Sequence, residues 1–189
     1  EMKGMNRKEE SEKDKIAYLI LNKDFNVNLP ERENAYISTA KGFGKAVLMG
    51  LSFLSQHYDY IITMDGDGKH TYPNVESIKL NQNTLYIFCR NANPRLISRL
   101  GNWLINKKLH LNNIDVTHGL KIYPKALIPY LKLNIINNSF AWQIYAVKTA
   151  LKHNFKVECL DANNYYQPHE HEKFHPLQTF LSLIEVFIP

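Results

Sequence analysis

Two aspartates at the end of an apolar segment are the residues best placed to do chemistry in this chain. Asp65 and Asp67 flank Gly66 in the stretch YDYIITMDGDGKHTYP, directly after the apolar run YIITM at 60–64. Two carboxylates this close raise each other's pKa unless a cation lies between them. A hard divalent cation such as Mg²⁺ or Mn²⁺ takes one or two carboxylates and completes its coordination with water and phosphate oxygens. The alternative is a solvated hairpin turn, because Asp-Gly is a common turn dipeptide.

The segments around this pair predict an α/β domain. Apolar runs rich in strand-forming residues occur at 15–21, 35–39, 60–64, 84–89 and 155–161, with a turn and strand at 117–124. Apolar residues recur at helical spacing in 41–57, 94–109 and 139–154. Strands that alternate with helices indicate crossover connections and a mixed, mostly parallel sheet flanked by helices. Ligands of such sheets bind at the carboxyl ends of the strands, which is where the acidic pair falls.

The bulk composition predicts one globular domain and argues against several function classes. We expect a polar arm at 1–14 and a single domain at 15–189, which includes an apolar tail that packs on the core or rests on a membrane surface. The net charge of +5 fits either an anionic ligand or scattered surface lysines. Basic residues are not interleaved with aromatic ones on one face, so nucleic-acid binding is not expected. No apolar stretch reaches membrane-spanning length and the N-terminus is charged, which predicts a cytoplasmic protein with at most peripheral membrane contact.

The two cysteines lack the spacing of a zinc site. Cys89 and Cys159 both lie in apolar runs, and no CxxC pair occurs. They are interpreted as buried thiols, with a single disulfide between them left open as the alternative.

Three blocks of sequence, in order and spacing, carry a family pattern over about residues 35–175. The first is KGFGKAVLMGL followed by DYIITMDGDGKHTYP, similar to an N-x-G-x-G-x-A helix start and an hhhxDxDxQHxP block. The second block has two parts. An R-x-x-S-R-x-x-N helix is similar to FCRNANPRLISRLGNWLINKKL, and a D-x-T-x-G-F-R-x-Y turn is similar to IDVTHGLKIYPKAL. The third is the helix FAWQIYAVKTALKHNFKV. Together they resemble the family-2 glycosyltransferases, which have the GT-A fold, and most closely the dolichol or polyprenol phosphate mannosyltransferase branch.

The resemblance implies a metal site at the acidic pair. Asp65 and Asp67 would hold Mn²⁺ or Mg²⁺ against the diphosphate of a GDP- or UDP-sugar, where the metal offsets charge on the leaving nucleoside diphosphate. His169 and His171 lie in the loop from which many GT-A enzymes supply a late histidine to the metal. Asp67 is accordingly placed among the candidate catalytic residues.

The resemblance also implies contacts with phosphate. Arg90 and Arg99 match family arginines that face donor or acceptor phosphates, which suits the paired donors of guanidinium. Gly42 and Gly44 would open a helix whose N-terminus points to the donor, although tight packing explains two glycines equally well. Lys69 replaces the usual Gln after the acidic pair and is placed to reach a phosphate.

Two departures from the family pattern concern the donor and the acceptor. The first strand of the family, which ends in P-x-Y-N-E, has no counterpart, so either the base pocket is rebuilt or the chain is a minimal form. LILNKDFN also stands where the family has VDDGSxD, which leaves Asp24 as the candidate base or ribose contact. On the third block, Gln143 lies where many inverting relatives carry an acid that deprotonates an acceptor hydroxyl. A phosphate acceptor is already ionised and needs no such base, so Gln143 favours a lipid phosphate. The competing explanations are an inactive enzyme or a base from elsewhere: Asp115, Asp161 or Glu170.

The resemblance therefore predicts a metal-dependent inverting glycosyltransferase, a hexosyltransferase in which residues 15–90 bind the donor and 91–189 the acceptor. The acceptor would be a polyprenyl phosphate or a hydroxyl on a protein or glycan. Asp115, which matches the family Asp near the sugar and acceptor, and Gln143 complete the candidate catalytic set. His118, in place of a small residue, would shape the acceptor site. The alternative is a non-catalytic domain on the same scaffold that binds a sugar nucleotide or a glycan.

Overall fold

A computed structural model describes most of the predicted domain. It covers residues 15–21, 32–67, 70–90, 96–162, 165, 184, 185 and 187, with the backbone alone at 96–99. The arm predicted at 1–14 lies outside the described residues, as does all of the apolar tail except 184, 185 and 187.

The order of strands and helices agrees closely with the sequence prediction. The strands are β1 Ile16–Leu21, β2 Ala35–Ser38, β3 Tyr60–Asp65, β4 Thr84–Cys89, β5 Lys121–Pro124 and β6 Lys156–Asp161. The helices are α1 Phe43–Leu54, α2 Leu96–Leu109 and α3 Trp142–Lys152, and a 3₁₀ helix at Lys125–Tyr130 was not predicted.

The six strands form one sheet in the order β2-β1-β3-β5-β4-β6. β1 runs parallel to β2 and β3, and β4 runs parallel to β6, whereas β5 is antiparallel to both β3 and β4. The predicted mixed, mostly parallel sheet with flanking helices is therefore confirmed. Because β5 is reversed, its first residue, Lys121, pairs with Thr63 of β3 and Ile87 of β4 near the ends of those strands. The reversal brings the segment that precedes β5 to the edge of the sheet where Asp65 lies.

Alternate residues of the central strands fill two cores, one on each face of the sheet. On one face, Leu19 and Ile61 pack in a cluster with Val47 and Leu51 of α1 and Trp142 of α3. The opposite face carries the other set of strand residues, packed with the segment 72–80 and Tyr165: Tyr18, Ile20, Ile62, Met64, Phe88 and Ile122. Strands buried on both faces explain the continuous apolar runs seen in the sequence.

The prediction of two buried thiols is wrong. Cys89 and Cys159 lie on the neighbouring strands β4 and β6, and they form a disulfide with their Cα atoms 5.7 Å apart. Cys89 is buried, whereas Cys159 is exposed on the edge strand. The sequence could not decide between thiols and a disulfide because the pairing of β4 with β6 is a contact between segments 70 residues apart.

Within the ranges given above, no helix combines the length and the apolar character that crossing a membrane requires.

Two helix glycines should respond oppositely to replacement by alanine. A Cβ on Gly44 of α1 would overlap the backbone carbonyl of Asn137, whereas a Cβ on Gly101 of α2 would meet no atom within 4 Å. We expect Gly44→Ala to lower the free energy of unfolding by about 1–3 kcal/mol through overpacking. Gly101→Ala should raise it by up to about 1 kcal/mol, the difference in helix propensity. Urea unfolding of both variants measures this, and equal effects of the two substitutions would contradict the described packing of α1.

Candidate functional site

Asp65 and Asp67 stand at the carboxyl edge of the sheet, as the sequence predicted. Asp65 is the half-buried last residue of β3, and Asp67 is exposed two residues later. The turn before β5 lies against Asp65, since a Cβ on Gly119 would come 2.9 Å from its Oδ2. Thr63 of β3 fixes that turn by donating from Oγ1 to the Gly119 carbonyl at 2.9 Å. Only a residue without a side chain fits at 119 while the Asp65 carboxylate keeps this position.

The acidic pair fits a divalent cation that relies on few protein ligands. In the described ranges, no three His, Cys, Asp or Glu side chains gather into a metal site. Mg²⁺-type sites often use only one or two carboxylates, with water and phosphate oxygens as the other ligands. His169 and His171 lie outside the described residues, so metal binding by these four side chains stays a prediction.

Lys121 is the buried cation of this edge. Its side chain is fully buried, and its ammonium donates to the carbonyls of Val116, at 3.1 Å, and His118, and to Oε1 of Gln143. Burial lowers the pKa of Lys121 to about 7, and the carboxylates of Asp115 and Asp65 oppose that shift. Three acceptors match the three N–H donors of an ammonium group, so the geometry suits the charged form. The sequence signal for this residue was a lysine between Leu120 and Ile122 in a short apolar strand.

Gln143 faces this buried ammonium. Its side chain is 2% exposed and lies in the first turn of α3, where its Oε1 accepts from Lys121. A carboxylate in the same place would form a buried ion pair with Lys121. The missing acid at 143 therefore says less about the acceptor than the sequence alone implied, and the catalytic role of Gln143 stays a prediction.

Arg90 and Asp115 form a second charged pair beside Lys121. Arg90 donates from Nε to Asp115 Oδ2 at 2.6 Å and from Nη2 to Oδ1 at 3.1 Å. Asn102 and Thr117 add bonds to Oδ1 at 2.8 and 3.2 Å. Burial would raise the pKa of Asp115, but the hydrogen bonds and charge of Arg90 outweigh it and the pKa falls below its ordinary value. A carboxylate held in this way is a weak proton acceptor, so the geometry does not favour Asp115 as the general base; its catalytic role stays a prediction.

His118 is buried rather than open to an acceptor. Its Nδ1 bonds to the Phe88 carbonyl, and its Nε2 lies 3.2 Å from Nε2 of the buried His70. A carbonyl only accepts, so His118 Nδ1 carries the proton and His118 Nε2 accepts from His70. Burial, and then the charges of Arg90 and His70, lower the pKa of His118 to about 3. Both rings pack inside the protein, and this hydrogen bond needs a neutral His118, whose Nε2 must accept.

The two glycines at the start of α1 pack against the segment before α3. Gly42 has φ +95°, and a side chain on it or on Gly44 would overlap Asn138 or Asn137. The backbone N–H of Lys45 donates to Asn138 Oδ1 at 2.9 Å. Tight packing accounts for both glycines, and the phosphate contact at Gly42 stays a prediction.

Asp161, another candidate base, is the exposed last residue of β6. The side chain of Arg99 and the residues Asp24, Lys69 and Glu170 lie outside the described part of the chain.

The mixed six-stranded sheet with flanking helices has a GT-A-like fold, as a comparison with solved structures shows. Among solved structures, the chain is similar to the crystal structure of glucosyl-3-phosphoglycerate synthase from Mycobacterium tuberculosis in complex with uridine diphosphate. The TM-score is 0.61 at 10% sequence identity, over 93% of this chain and 81% of that one. No protein-family model matches the chain. The likeness supports the GT-A part of the resemblance and gives no support to the mannosyltransferase branch.

The buried imidazole of His118 should make stability depend on pH. Below pH 6.5 the unfolded chain gains a proton at His118 that the folded protein takes up only near pH 3, so stability falls as the pH is lowered through this window. The loss is at most about 1.4 kcal/mol per pH unit. Urea unfolding at about pH 7.5 and about pH 5 should show a smaller loss for His118→Asn than for wild type. The exposed His57 serves as the control: His57→Asn should lose as much as wild type, and an equal loss in all three proteins would refute the assignment.

Proposed function

We propose that this chain is a nucleotide-sugar-dependent glycosyltransferase. The observation that carries the proposal is the acidic pair Asp65 and Asp67 at the end of the central strand β3 in a GT-A-like sheet. The similar solved structure holds uridine diphosphate, which is consistent with a nucleotide-sugar donor. The sugar nucleotide would bind at the carboxyl edge of the sheet, where ligands of open α/β sheets collect.

Asp65 and Asp67 would hold Mn²⁺ or Mg²⁺ beside the donor diphosphate. When bound, the metal supplies Lewis-acid stabilisation of the charge on the leaving group. The residues themselves orient the donor: β3 fixes Asp65, and the turn at Gly119 leaves room for its carboxylate. Catalysis would rest on this positioning and on electrostatic stabilisation.

The acceptor would attack the anomeric carbon opposite the leaving diphosphate, in a single displacement that inverts the configuration. A polyprenyl phosphate would need no general base, whereas a hydroxyl on a glycan or protein profits from one. Both classes stay open, because Gln143 is bonded to Lys121 and Asp115 to Arg90. An assay of transfer to each class separates them.

The alternative function is a binding domain without turnover. Sequence reasoning offered two described groups as a base, Asp115 and Asp161. Asp115 is bonded to a guanidinium, which is the observation that favours this alternative. Incubation with Mn²⁺ and a panel of GDP- and UDP-sugars decides between the two. Measurable binding without hydrolysis or transfer of any donor would support the binding domain.

Removal of one negative charge at Asp67 should weaken metal-dependent donor binding. We expect Asp67→Asn to bind GDP- or UDP-sugar in Mn²⁺ at least about tenfold more weakly, because a neutral amide is a poor ligand for a hard cation. Calorimetric titration with and without Mn²⁺ measures the effect. The matched control is Asp59→Asn, since Asp59 precedes the opposite end of β3 and its Oδ2 accepts from the Lys15 N–H at 3.1 Å. If Asp67→Asn and Asp59→Asn bind donor and Mn²⁺ equally well, the site assignment is wrong.

A further inference from the structure

A cleft of about 640 Å³ opens beside the Arg90–Asp115 pair. Its walls are the C-terminal half of α2, the segment 111–115, and the ends of β4 and β6 where Cys89 and Cys159 are joined. This volume lies in the usual range for small-molecule sites. Neither Asp65 nor Asp67 lines it, so the cleft is separate from the acidic pair. Asp115 of the cleft and Asp65 of the acidic pair both act on Lys121, so the two sites adjoin.

The cleft is built into the fold by Asn106. The Asn106 amide donates to the carbonyls of Asn102 and Ile114 at 2.7 Å each, and its Oδ1 accepts from the Ile114 N–H at 2.7 Å. The Asn106 carbonyl accepts from the Leu111 N–H at 2.9 Å. Three of these bonds fasten the segment 111–114 to α2, and the fourth, to Asn102, fixes the Asn106 side chain on the helix. The two walls are therefore held together by the fold itself.

An exposed tryptophan forms part of the α2 wall. Trp103 is 56% exposed, whereas Trp142, the other tryptophan of the chain, is fully buried. Lys107 Nζ lies 5.3 Å from the Trp103 ring centroid, which is within cation–π distance. The π face of an indole carries partial negative charge and attracts C–H groups of opposite polarity, such as those on one face of a sugar ring. An exposed indole at the wall of a cleft is therefore suited to stack against a sugar.

Planar polar side chains supply a second part of the wall. Asn102 is among them, and its amide nitrogen donates to Asp115 and Thr117, which fixes the plane of the side chain. Arg90 and Asp115 are also at the wall, with their charges balanced against each other. The wall therefore pairs an aromatic platform with polar groups, and Lys107 adds a positive charge that Arg90 and Asp115 do not offset.

We propose that this cleft binds carbohydrate, with one face of a hexose ring against Trp103 and its hydroxyls toward the polar side of the wall, where Arg90, Asn102 and Asp115 lie. Binding itself does not depend on the proposed glycosyltransferase activity. If that activity holds, the bound sugar belongs to the acceptor, and the acceptor is a glycan rather than a lipid phosphate.

Nuclear magnetic resonance tests the proposal directly, since the chain has two tryptophans and so two indole N–H signals. The ¹⁵N-labelled protein is titrated, without donor or metal, with methyl glycosides of glucose, mannose, galactose and N-acetylglucosamine. We expect at least one sugar to shift the Trp103 signal saturably and leave the Trp142 signal in place. No saturable shift with any of the four overturns the proposal.

Variants on the same helix sharpen the test by calorimetry. Trp103→Ala should weaken sugar binding about tenfold, and Trp103→Phe, which keeps an aromatic face, should retain most of the affinity. Leu100→Ala is the matched control, because Leu100 is 59% exposed on α2 but does not line the cleft. Equal affinity of Trp103→Ala and Leu100→Ala would overturn the proposal.

Two further outcomes separate this site from its rivals. Asp67→Asn should bind sugar like wild type, so the donor-site proposal and the carbohydrate proposal can each be refuted without the other.

Leu100 and Leu104 are also exposed on α2, and Lys107 and Lys108 are basic, a pattern that fits an anionic membrane surface. If vesicles of phosphatidylserine and phosphatidylcholine shift the Trp103 signal and no sugar does, the face belongs to a membrane contact and the proposal is wrong.

Discussion

The edge of the sheet that carries the candidate site is organised around one buried ammonium group. Lys121 must find three acceptors inside the protein, since a buried charge without partners is strongly unfavourable. It finds them in the carbonyls of Val116 and His118 and in Gln143 of α3. These bonds hold the turn before β5 in the place where Gly119 meets Asp65. Lys121 lies at this edge because β5 is antiparallel to its neighbours and Lys121 is its first residue.

The Lys121 ammonium has carboxylates as its nearest charges, and an arginine lies beyond one of them. The carboxylates of Asp65 and Asp115 both favour its charged form, and Arg90 in turn neutralises Asp115. The positive charge of Lys121 is thus already balanced within the protein and is enclosed by it. A diphosphate beside Asp65 and Asp67 would add negative charge to a place that is already acidic, which is the physical reason to expect a divalent cation with the donor.

The sequence was informative wherever local pattern decides structure. Continuous apolar runs indicated the strands that are buried on both faces, and apolar residues at helical spacing indicated the three helices. The fold class and the position of Asp65 at the edge of the sheet could therefore be predicted. Contacts between distant segments were out of reach: the reversed direction of β5, the Cys89–Cys159 bond, and the burial of His118 against His70. Gln143 shows the limit most clearly, because its residue type alone suggested acceptor chemistry while its partner is Lys121. Roles for Asp24, Lys69, Arg99, His169 and His171 rest on the sequence alone.

The place of β5 in the sheet has a consequence for how the chain is made. β4 is buried along its whole length, yet both of its neighbours, β5 and β6, follow it in sequence. During synthesis the segment TLYIFC therefore leaves the ribosome some thirty residues before its first partner strand and about seventy before its second. An unpaired apolar strand is prone to pair with other chains. The emerging chain is thus most vulnerable to aggregation between the appearance of β4 and that of β6, although in the finished sheet β4 is paired on both sides.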